Sequence, residues 1–178
     1  QLISRSGNIV GFLVVTHRYS DAQTDAIWNT ISHSSDPRVV SATMTMLRGI
    51  YNLMSDTELL YLCSKMYELP IESYTLDILR FLRDLIAKML QKEVDWDQAD
   101  PQARPWNVCI RVLRDTSPSK ESTKTLDALH HEAAEQLRSM AAYIPLDERH
   151  RLLSQCASHV SSKSPMCTGS VRAISILI

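Results

Sequence analysis

The residues of this chain that are best suited to metal chemistry are its four cysteines and six histidines. Cys156 and His159 are three residues apart, a spacing that places both side chains on one face of a helix. His150 and Cys167 lie close enough along the chain to complete a set of four zinc ligands. Structural zinc sites usually hold paired close ligands in loops, so we interpret Cys156 as a small buried residue and the two histidines as solvated.

A second group of candidate ligands consists of His130, His131, Glu132 and Glu135. Its order is similar to the H-E-x-x-H helix of zinc proteases, in which two histidines one turn apart bind the metal and the glutamate is the general base. Position 135 is a glutamate here, so the second imidazole is missing. We therefore interpret this group as a polar helix surface.

Nucleophilic catalysis needs a serine, cysteine or threonine on a constrained turn with a histidine in reach. The sequence has no G-x-S-x-G turn. Cys63, Cys109 and Cys156 each fall within an amphipathic helical pattern, where a free cysteine usually acts as a small apolar side chain. We expect no catalytic residue, cofactor or metal in this chain. The alternative is a self-contained helical hydrolase or zinc-binding domain that uses Cys156 and His159.

The elements that would position these side chains are predicted to be helices, and the first indication is a low glycine count. The chain has four glycines, whereas average usage of about 7% would give roughly a dozen. Tight hairpins and phosphate-binding loops depend on the positive φ angles that glycine supplies. A β-sandwich, a Rossmann fold and a P-loop enzyme are therefore disfavoured.

Apolar residues recur at the spacing of an α-helix in about eight or nine segments, each of roughly 12 to 22 residues. The first segment covers residues 2–18. Its apolar face is predicted to consist of Leu2, Ile3, Ile9, Val10, Leu13 and Val14. The longest segment covers residues 71–92, and its broad apolar face consists of Leu76, Leu79, Leu82, Leu85, Ile86, Met89 and Leu90, widened by Ile78 and Phe81. Further helices are predicted over residues 121–142 and 147–161.

Three helix starts carry residues that can cap free backbone N–H groups. Asp21 is predicted to cap the second helix. Asp36 is predicted to cap the third, whose first residue, Pro37, has no N–H group to leave unpaired. Ser55 and Glu58 match a capping box, in which the serine caps forward and the glutamate reaches back.

The helix lengths predict an all-α fold. The helices pair at roughly 35 to 45 residues per hairpin, the period of armadillo and HEAT units. We therefore predict an armadillo- or HEAT-like α-solenoid segment of stacked helical hairpins, with a closed helical bundle as the alternative. The chain closes on an apolar stretch, which we interpret as an element cut from a larger polypeptide. The expected division is helical repeats over residues 1–92, an acidic connecting loop over 93–104, and helical repeats, truncated at their end, over 105–178.

The connecting loop is the first candidate for a partner contact. Its acidic residues lack the glycine and the closing glutamate of an EF-hand calcium loop, which favours a solvated connection. They are Glu93, Asp95, Asp97 and Asp100. Trp96 and Trp106 flank two prolines here, and we interpret them as lids on the core or as docking points. On the predicted helix over residues 71–92, Arg80 and Asp84 belong to a charged stripe that faces solvent or a partner.

The charge and cysteine content limit the partner and the compartment. Lysine and arginine total 19 against 20 aspartates and glutamates, a net charge of −1. Nucleic acid is disfavoured as a partner because its binding depends on basic contacts that release counterions. No apolar run reaches the roughly 20 residues that span a bilayer. Since no two cysteines form a C-x-x-C pair, we expect reduced thiols and an intracellular location, cytoplasmic or nuclear.

Six short stretches carry a resemblance to a known family. They are residues 12–19 (FLVVTHRY), 27–28 (IW), 35–40 (SDPRVV), 51–55 (YNLMS), 60–63 (LYLC) and 109–111 (CIR). Together they resemble the long helical region of large ubiquitin-specific proteases, in particular the fat-facets-like branch and its fungal members. The resemblance covers about the first two thirds of the chain, up to residue 115.

The resemblance implies a role without catalysis. In that family a papain-like domain with a cysteine box and a histidine box cleaves ubiquitin from lysine side chains, and neither box is present in this sequence. The chain would then be a non-catalytic, armadillo-like segment of a deubiquitinating enzyme. Its implied partners are proteins, such as ubiquitin or ubiquitinated substrates.

Overall fold

All regular secondary structure in the described part of the computed structural model is helical, which confirms the predicted all-α class. The description covers residues 2–34, 36–96, 99–117 and 123–178, with side chains from residue 5 onward. Over these residues there is no strand, and nine α-helices follow one another. They are α1 (Leu2–Val15), α2 (Asp21–His33), α3 (Pro37–Ile50), α4 (Asp56–Glu68), α5 (Leu76–Lys92), α6 (Pro105–Asp115), α7 (Lys124–Met140), α8 (Leu146–Ser161) and α9 (Cys167–Leu177).

Two of the predicted helix starts are confirmed. The Asp36 carboxylate accepts a hydrogen bond from the backbone N–H of Arg38 at 2.9 Å, and Pro37 is the first residue of α3. At the start of α4, Glu58 Oε2 accepts from the backbone N–H of Ser55 at 2.6 Å, and the Ser55 hydroxyl accepts from the N–H of Glu58 at 3.4 Å. These bonds satisfy donors that the first turn of a helix leaves free.

The first helix ends earlier than predicted. α1 ends at Val15 rather than at residue 18, because His17 adopts a left-handed backbone conformation with φ 55°. The N–H groups of Arg18 and Tyr19 then donate to the carbonyl of Leu13, at 2.9 and 3.1 Å. Such bonds close the end of a helix by satisfying its last carbonyl groups.

The capping residue of α2 also differs from the prediction. Asp21 is the first residue of the helix and not its cap. Ser20 is the N-cap, and its backbone N–H donates to Oε1 of Gln23 at 2.9 Å. The pattern is that of a capping box in which glutamine takes the place of glutamate.

The helix predicted over residues 71–92 begins later in the structure, because the chain first makes a 3-10 turn at Ile71–Ser73 and then passes through an extended, buried Tyr74. α5 starts at Leu76, and the hydroxyl of Thr75 accepts from the N–H of Ile78 at 3.3 Å. The predicted apolar face is otherwise confirmed. Its buried members are Ile78, Leu79, Phe81, Leu82, Leu85, Ile86 and Met89, while Leu76 and Leu90 are half-buried.

The helix predicted over residues 121–142 is shorter in the structure. α7 covers Lys124–Met140, its N-cap is Thr123, and residues 121 and 122 lie outside the described part of the chain. The Thr123 hydroxyl accepts from the N–H of Leu126 at 3.3 Å. A 3-10 turn at Ala141–Tyr143 follows, so the chain tightens where the prediction continues the α-helix.

The connection over residues 93–104 is more buried than a solvated loop. Val94, Ala99 and Ala103 are all buried, and Ala103 belongs to a 3-10 turn, Pro101–Ala103, that packs against α4. Asp100 accepts from the N–H of Gln102 at 2.8 Å and so caps that turn. Asp97, one of the predicted acidic residues, lies outside the described residues.

The chain divides into two compact units. The first comprises Gln1–Leu69 and Asp84–Arg104, and the second comprises Pro70–Arg83 and Pro105–Ile178. α5 therefore contributes its first half to the second unit and its last half to the first. In the first unit α1 packs against α3, and in the second α9 packs against α6, α7 and α8. Among the described residues, none of the helices combines the length and the apolar character that crossing a lipid bilayer requires.

Candidate functional site

The four candidate zinc ligands do not come together as a metal site in the described residues. Cys156 is fully buried, and its sulfur accepts from Nη2 of Arg114 at 3.4 Å. His159 Nδ1 lies 3.3 Å from the hydroxyl of Ser170, which joins α8 to α9. His150 is exposed and Cys167 is half-buried. Over the described ranges, no three His, Cys, Asp or Glu side chains form a group that could hold a metal ion.

The second set of candidate ligands is divided between ion pairs and hydrogen bonds on α7. Glu132 lies 3.5 Å from Arg83 and accepts from the Gln136 side chain at 2.9 Å. Glu135 pairs with a cation one turn further on, Arg138. Both carboxylates thus form ion pairs or hydrogen bonds with residues of the second unit, in agreement with their interpretation as part of a polar helix surface.

His130 belongs to a groove between α7 and α9 that has a volume of about 440 Å³. Asp127, His130 and His131 line it from α7. Thr168, Val171, Arg172 and Ser175 line it from α9. The sequence pattern does not reveal this groove. The sequence feature that corresponds to it is the helical spacing of polar residues on α9, and this spacing does not indicate which helix lies opposite them.

The electrostatics of this groove keep one imidazole neutral. Burial lowers the pKa of His130 from its usual 6.5, and the positive charge of Arg172 lowers it further. The Nδ1 atom of His130 lies 3.2 Å from the hydroxyl of Thr116, just beyond α6. Besides the two histidines, the ionisable side chains that line the groove are one cation, Arg172, and one anion, Asp127.

The two tryptophans proposed as docking points differ in exposure. Trp106 is 1% exposed, and its indole N–H donates to Glu148 at 3.1 Å. Glu148 is buried as well and accepts two further bonds from Arg151, at 2.8 and 2.6 Å. Trp106 is thus a core residue of the second unit, in agreement with its interpretation as a lid on the core, and it offers no surface to a partner. Trp96 is half-buried.

The charged residues of the α5 stripe differ in the contacts they make along the helix. Arg80 is exposed and lies in the second unit. Asp84 lies in the first unit, where its Oδ2 is 3.8 Å from Nε of Arg48 on α3. Lys92, at the end of the stripe, donates to Asp56 at 2.9 Å. Asp84 and Lys92 therefore join α5 to α3 and α4 through surface ion pairs, and Arg80 is exposed.

The outer face of α1 is an exposed row of apolar side chains. Ile9 and Phe12 are each 64% exposed and Val15 is 61% exposed. This corrects the predicted core face of the helix: Val14 is buried and Ile9 is not. Consecutive members of this row are three residues apart, on successive turns, so the three side chains lie on one side of the helix.

Gly7 and Gly11, on the side of α1 away from this row, allow the helix to pack closely against α3. A methyl group at Gly7 would lie 3.3 Å from Met46 Cγ, and one at Gly11 would lie 3.8 Å from Ile50 and Leu53. The helix backbone therefore lies close to α3 at these positions. Beside it, Gly7, Thr45 and Met46 line a shallow groove of about 260 Å³.

No family model, no curated protein and no solved structure matches this chain. The surfaces above therefore rest on the chain's own residues and geometry. The resemblance to the helical region of ubiquitin-specific proteases rests on the six stretches of sequence quoted for it.

Proposed function

We propose that this chain is a helical protein-interaction module and that the outer face of α1 is its docking surface. The observation that carries the proposal is the row of Ile9, Phe12 and Val15, each more than three fifths exposed on successive turns. Single exposed apolar residues are normal on protein surfaces, whereas a contiguous apolar face indicates an interaction site. Burying these three side chains against a partner would remove apolar surface from water, which favours association.

A selection experiment tests this function. A displayed library of amphipathic helical peptides is selected on the purified chain and, in parallel, on the Ile9→Ser/Phe12→Ser variant. We expect peptides that bind the wild-type chain and not the variant. The matched control is Tyr143→Ser/Leu146→Ser, which removes two exposed apolar side chains from the second unit and should leave binding unchanged.

Because the substituted side chains are exposed, both variants should keep the wild-type thermal midpoint, which circular dichroism would check. Selected peptides that bind both variants as well as they bind the wild-type chain would contradict the proposal. So would a selection that enriches no binder of the wild-type chain.

We further propose that the helices stack as an armadillo- or HEAT-like solenoid. The proposal is supported by the succession of α-helices, each 11 to 17 residues long, along the described part of the chain. Small-angle X-ray scattering tests it, because a globular domain of this length has a radius of gyration of about 16 Å. A clearly larger value with the profile of an elongated particle supports the solenoid. A value near that of a globule favours the closed bundle.

The resemblance extends this proposal to a larger deubiquitinating enzyme, in which this segment would present protein partners to a protease domain. Ubiquitin is the partner to test first. Titration of unlabelled ubiquitin into the ¹⁵N-labelled chain should shift amide signals on α1 if ubiquitin docks there. An unchanged spectrum at millimolar ubiquitin would contradict ubiquitin as the partner, while the docking surface itself is tested by the peptide selection.

The alternative function, a zinc-binding or hydrolytic domain on Cys156 and His159, makes a different expectation. It requires about one zinc ion per purified chain and loss of that zinc in Cys156→Ala. Metal analysis of the wild-type chain and this variant therefore distinguishes the alternative from the docking module.

A further inference from the structure

We infer that the α1 face binds an amphipathic helix of another protein whose apolar stripe is flanked by aspartate or glutamate residues. This inference rests on the proposed function and names the chemical class of the partner. It is carried by the charges that surround the exposed row and by the groove beside it.

Among the described residues 5–20, the charged side chains that accompany the apolar row are basic. The first twenty residues of the chain contain Arg5 and Arg18 and no aspartate or glutamate. Arg5 is exposed and lies one helical turn before Ile9, and Arg18 is exposed just beyond the end of α1. Among the described residues neither arginine forms an ion pair. Both guanidinium groups are therefore available to carboxylates of a partner, and such complementarity sets partner choice and orientation.

The spacing of these residues sets the length of the partner segment. Arg5 and Val15 are ten residues apart on α1, which corresponds to about 15 Å at the rise of an α-helix. Arg18 extends the surface beyond the last turn of the helix. A partner helix of about 12 to 15 residues would therefore cover the row and place carboxylates near an arginine at each end.

A second copy of this chain does not supply an apolar stripe flanked by acidic residues on α1 or α9. Among the described residues, two other α-helices carry an exposed large apolar side chain: Leu146 is a single such residue at the start of α8, and on α9 Val171 is 49% exposed beside the exposed Arg172. The range of α9, Cys167–Leu177, contains no acidic residue. Pairing α1 with α9 or with α1 of another copy would therefore bring arginine towards arginine, which disfavours these two pairings.

The groove beside α1 favours a helix over a lipid surface. An anionic membrane would also attract basic and apolar residues. A flat lipid surface has no need of a recess, however, and the 260 Å³ groove between α1 and α3 offers one that extends to Asn8, one helical turn before Phe12 of the apolar row. A methyl group built at Gly49, which also lines this groove, would meet no atom within 4 Å, so the space there is open. Side chains of one helix pack into such recesses between the side chains of another.

Synthetic peptides of about 18 residues with one leucine stripe and flanks of glutamate, glutamine or lysine test this inference. Their affinity for the purified chain is measured by fluorescence anisotropy at low and at physiological salt. We expect the glutamate-flanked peptide to bind about tenfold more tightly than the glutamine-flanked peptide at low salt. The lysine-flanked peptide should bind least, and the differences should shrink as salt screens the charges.

Substitutions in the chain separate the charges from the apolar row. Arg5→Gln/Arg18→Gln should abolish the preference for glutamate flanks and leave the affinity for the glutamine-flanked peptide unchanged. Lys124→Gln/Lys163→Gln, which removes two exposed cations of the second unit, is the matched control and should change neither affinity. Ile9→Ser/Phe12→Ser should remove the binding of all three peptides.

The outcomes distinguish failure of the inference from failure of the proposed function. Equal affinity for glutamate and glutamine flanks, with binding still dependent on Phe12, would overturn the acidic partner and keep the docking surface. Binding of no peptide through the row would overturn both. Phe12-dependent binding to phosphatidylserine vesicles without peptide binding would replace the partner helix with a membrane. Sedimentation that shows Phe12-dependent self-association would replace it with a second copy.

Discussion

Gly169 lies so close to Leu113 that a methyl group at Gly169 would be 2.0 Å from the Leu113 carbonyl oxygen. The backbone N–H of Gly169 also donates to the hydroxyl of Ser117 at 2.8 Å, just beyond the end of α6. The first turn of α9 therefore lies directly on the backbone at the end of α6. A residue with a side chain cannot occupy this position without moving one of the two helices.

We predict that Gly169→Ala lowers the free energy of unfolding by about 3 kcal/mol, because the clashing atoms belong to the backbone and have little freedom to move. Urea unfolding of the purified chain would measure the change. Gly49→Ala is the matched control, since a methyl group there meets no atom within 4 Å. In the helix it should raise stability by about 0.5 kcal/mol. Equal effects of the two substitutions would contradict the close contact.

Leu82→Ala tests the apolar face of α5. Leu82 is fully buried, so the substitution should cost about 2 to 5 kcal/mol through lost burial and the cavity left behind. The control is Arg80→Ala/Asp84→Ala, which removes one exposed cation and one surface ion pair and should cost less than about 1 kcal/mol. If the charge substitutions unfold the chain and Leu82→Ala is neutral, the two faces of α5 are assigned in reverse.

Two histidines should make stability fall as the pH is lowered below 6.5. Burial lowers the pKa of His130 and of His159 from 6.5, and the nearby Arg172 and Arg114, respectively, lower them further. The unfolded chain therefore binds protons on these rings before the folded chain does. The contribution of the neutral histidines to the free energy of unfolding is fully present above pH 6.5. It is lost as the pH falls through the lowered pKa values that the two histidines have in the folded state.

Urea unfolding between pH 7.5 and pH 5 measures this dependence. The variant His130→Gln/His159→Gln should lose the part of the slope that lies just below pH 6.5 and keep the loss of stability at more acidic pH. The slope at more acidic pH belongs to carboxylates such as Asp25 and Glu135, whose pKa values are lowered by hydrogen bonds to Lys65 and Arg138. An unchanged slope just below pH 6.5 in the variant would contradict the histidine assignment.

The cysteines should differ in their reactivity. Cys63, Cys109 and Cys156 are buried and Cys167 is half-buried. Burial raises the pKa of Cys63 to about 12, so its reactive thiolate form is scarce at neutral pH. With a thiol reagent at pH 7.5, Cys167 should react first and the other three only as the chain unfolds. Mass spectrometry of Cys167→Ser should then show no rapid labelling. Rapid labelling of Cys156 in the folded chain would contradict its burial.

The features that the sequence by itself determined depend on residues a few positions apart. The caps at Asp36 and at Ser55 with Glu58 follow from hydrogen bonds within one helical turn, so their residue types predict them. The buried side of α5 follows from leucines that recur at the helical period, and its width requires neighbours whatever their identity. The pattern does not predict the late start of α5, because Tyr74 is extended and buried just before it. Packing of the tyrosine side chain, and not the local sequence, favours this conformation.

The tertiary structure alone decided which apolar and polar faces are covered. α1 is apolar on nearly every side, so periodicity could not show that Val14 is buried and Ile9 exposed; the close approach of Gly7 to α3 decides it. The groove of His130 exists only because α9 lies beside α7. Trp106 is in the core because Glu148, 42 residues away in sequence, accepts its N–H. Such contacts join residues far apart in the chain, and the pattern of a single helix carries no information about which helix meets it.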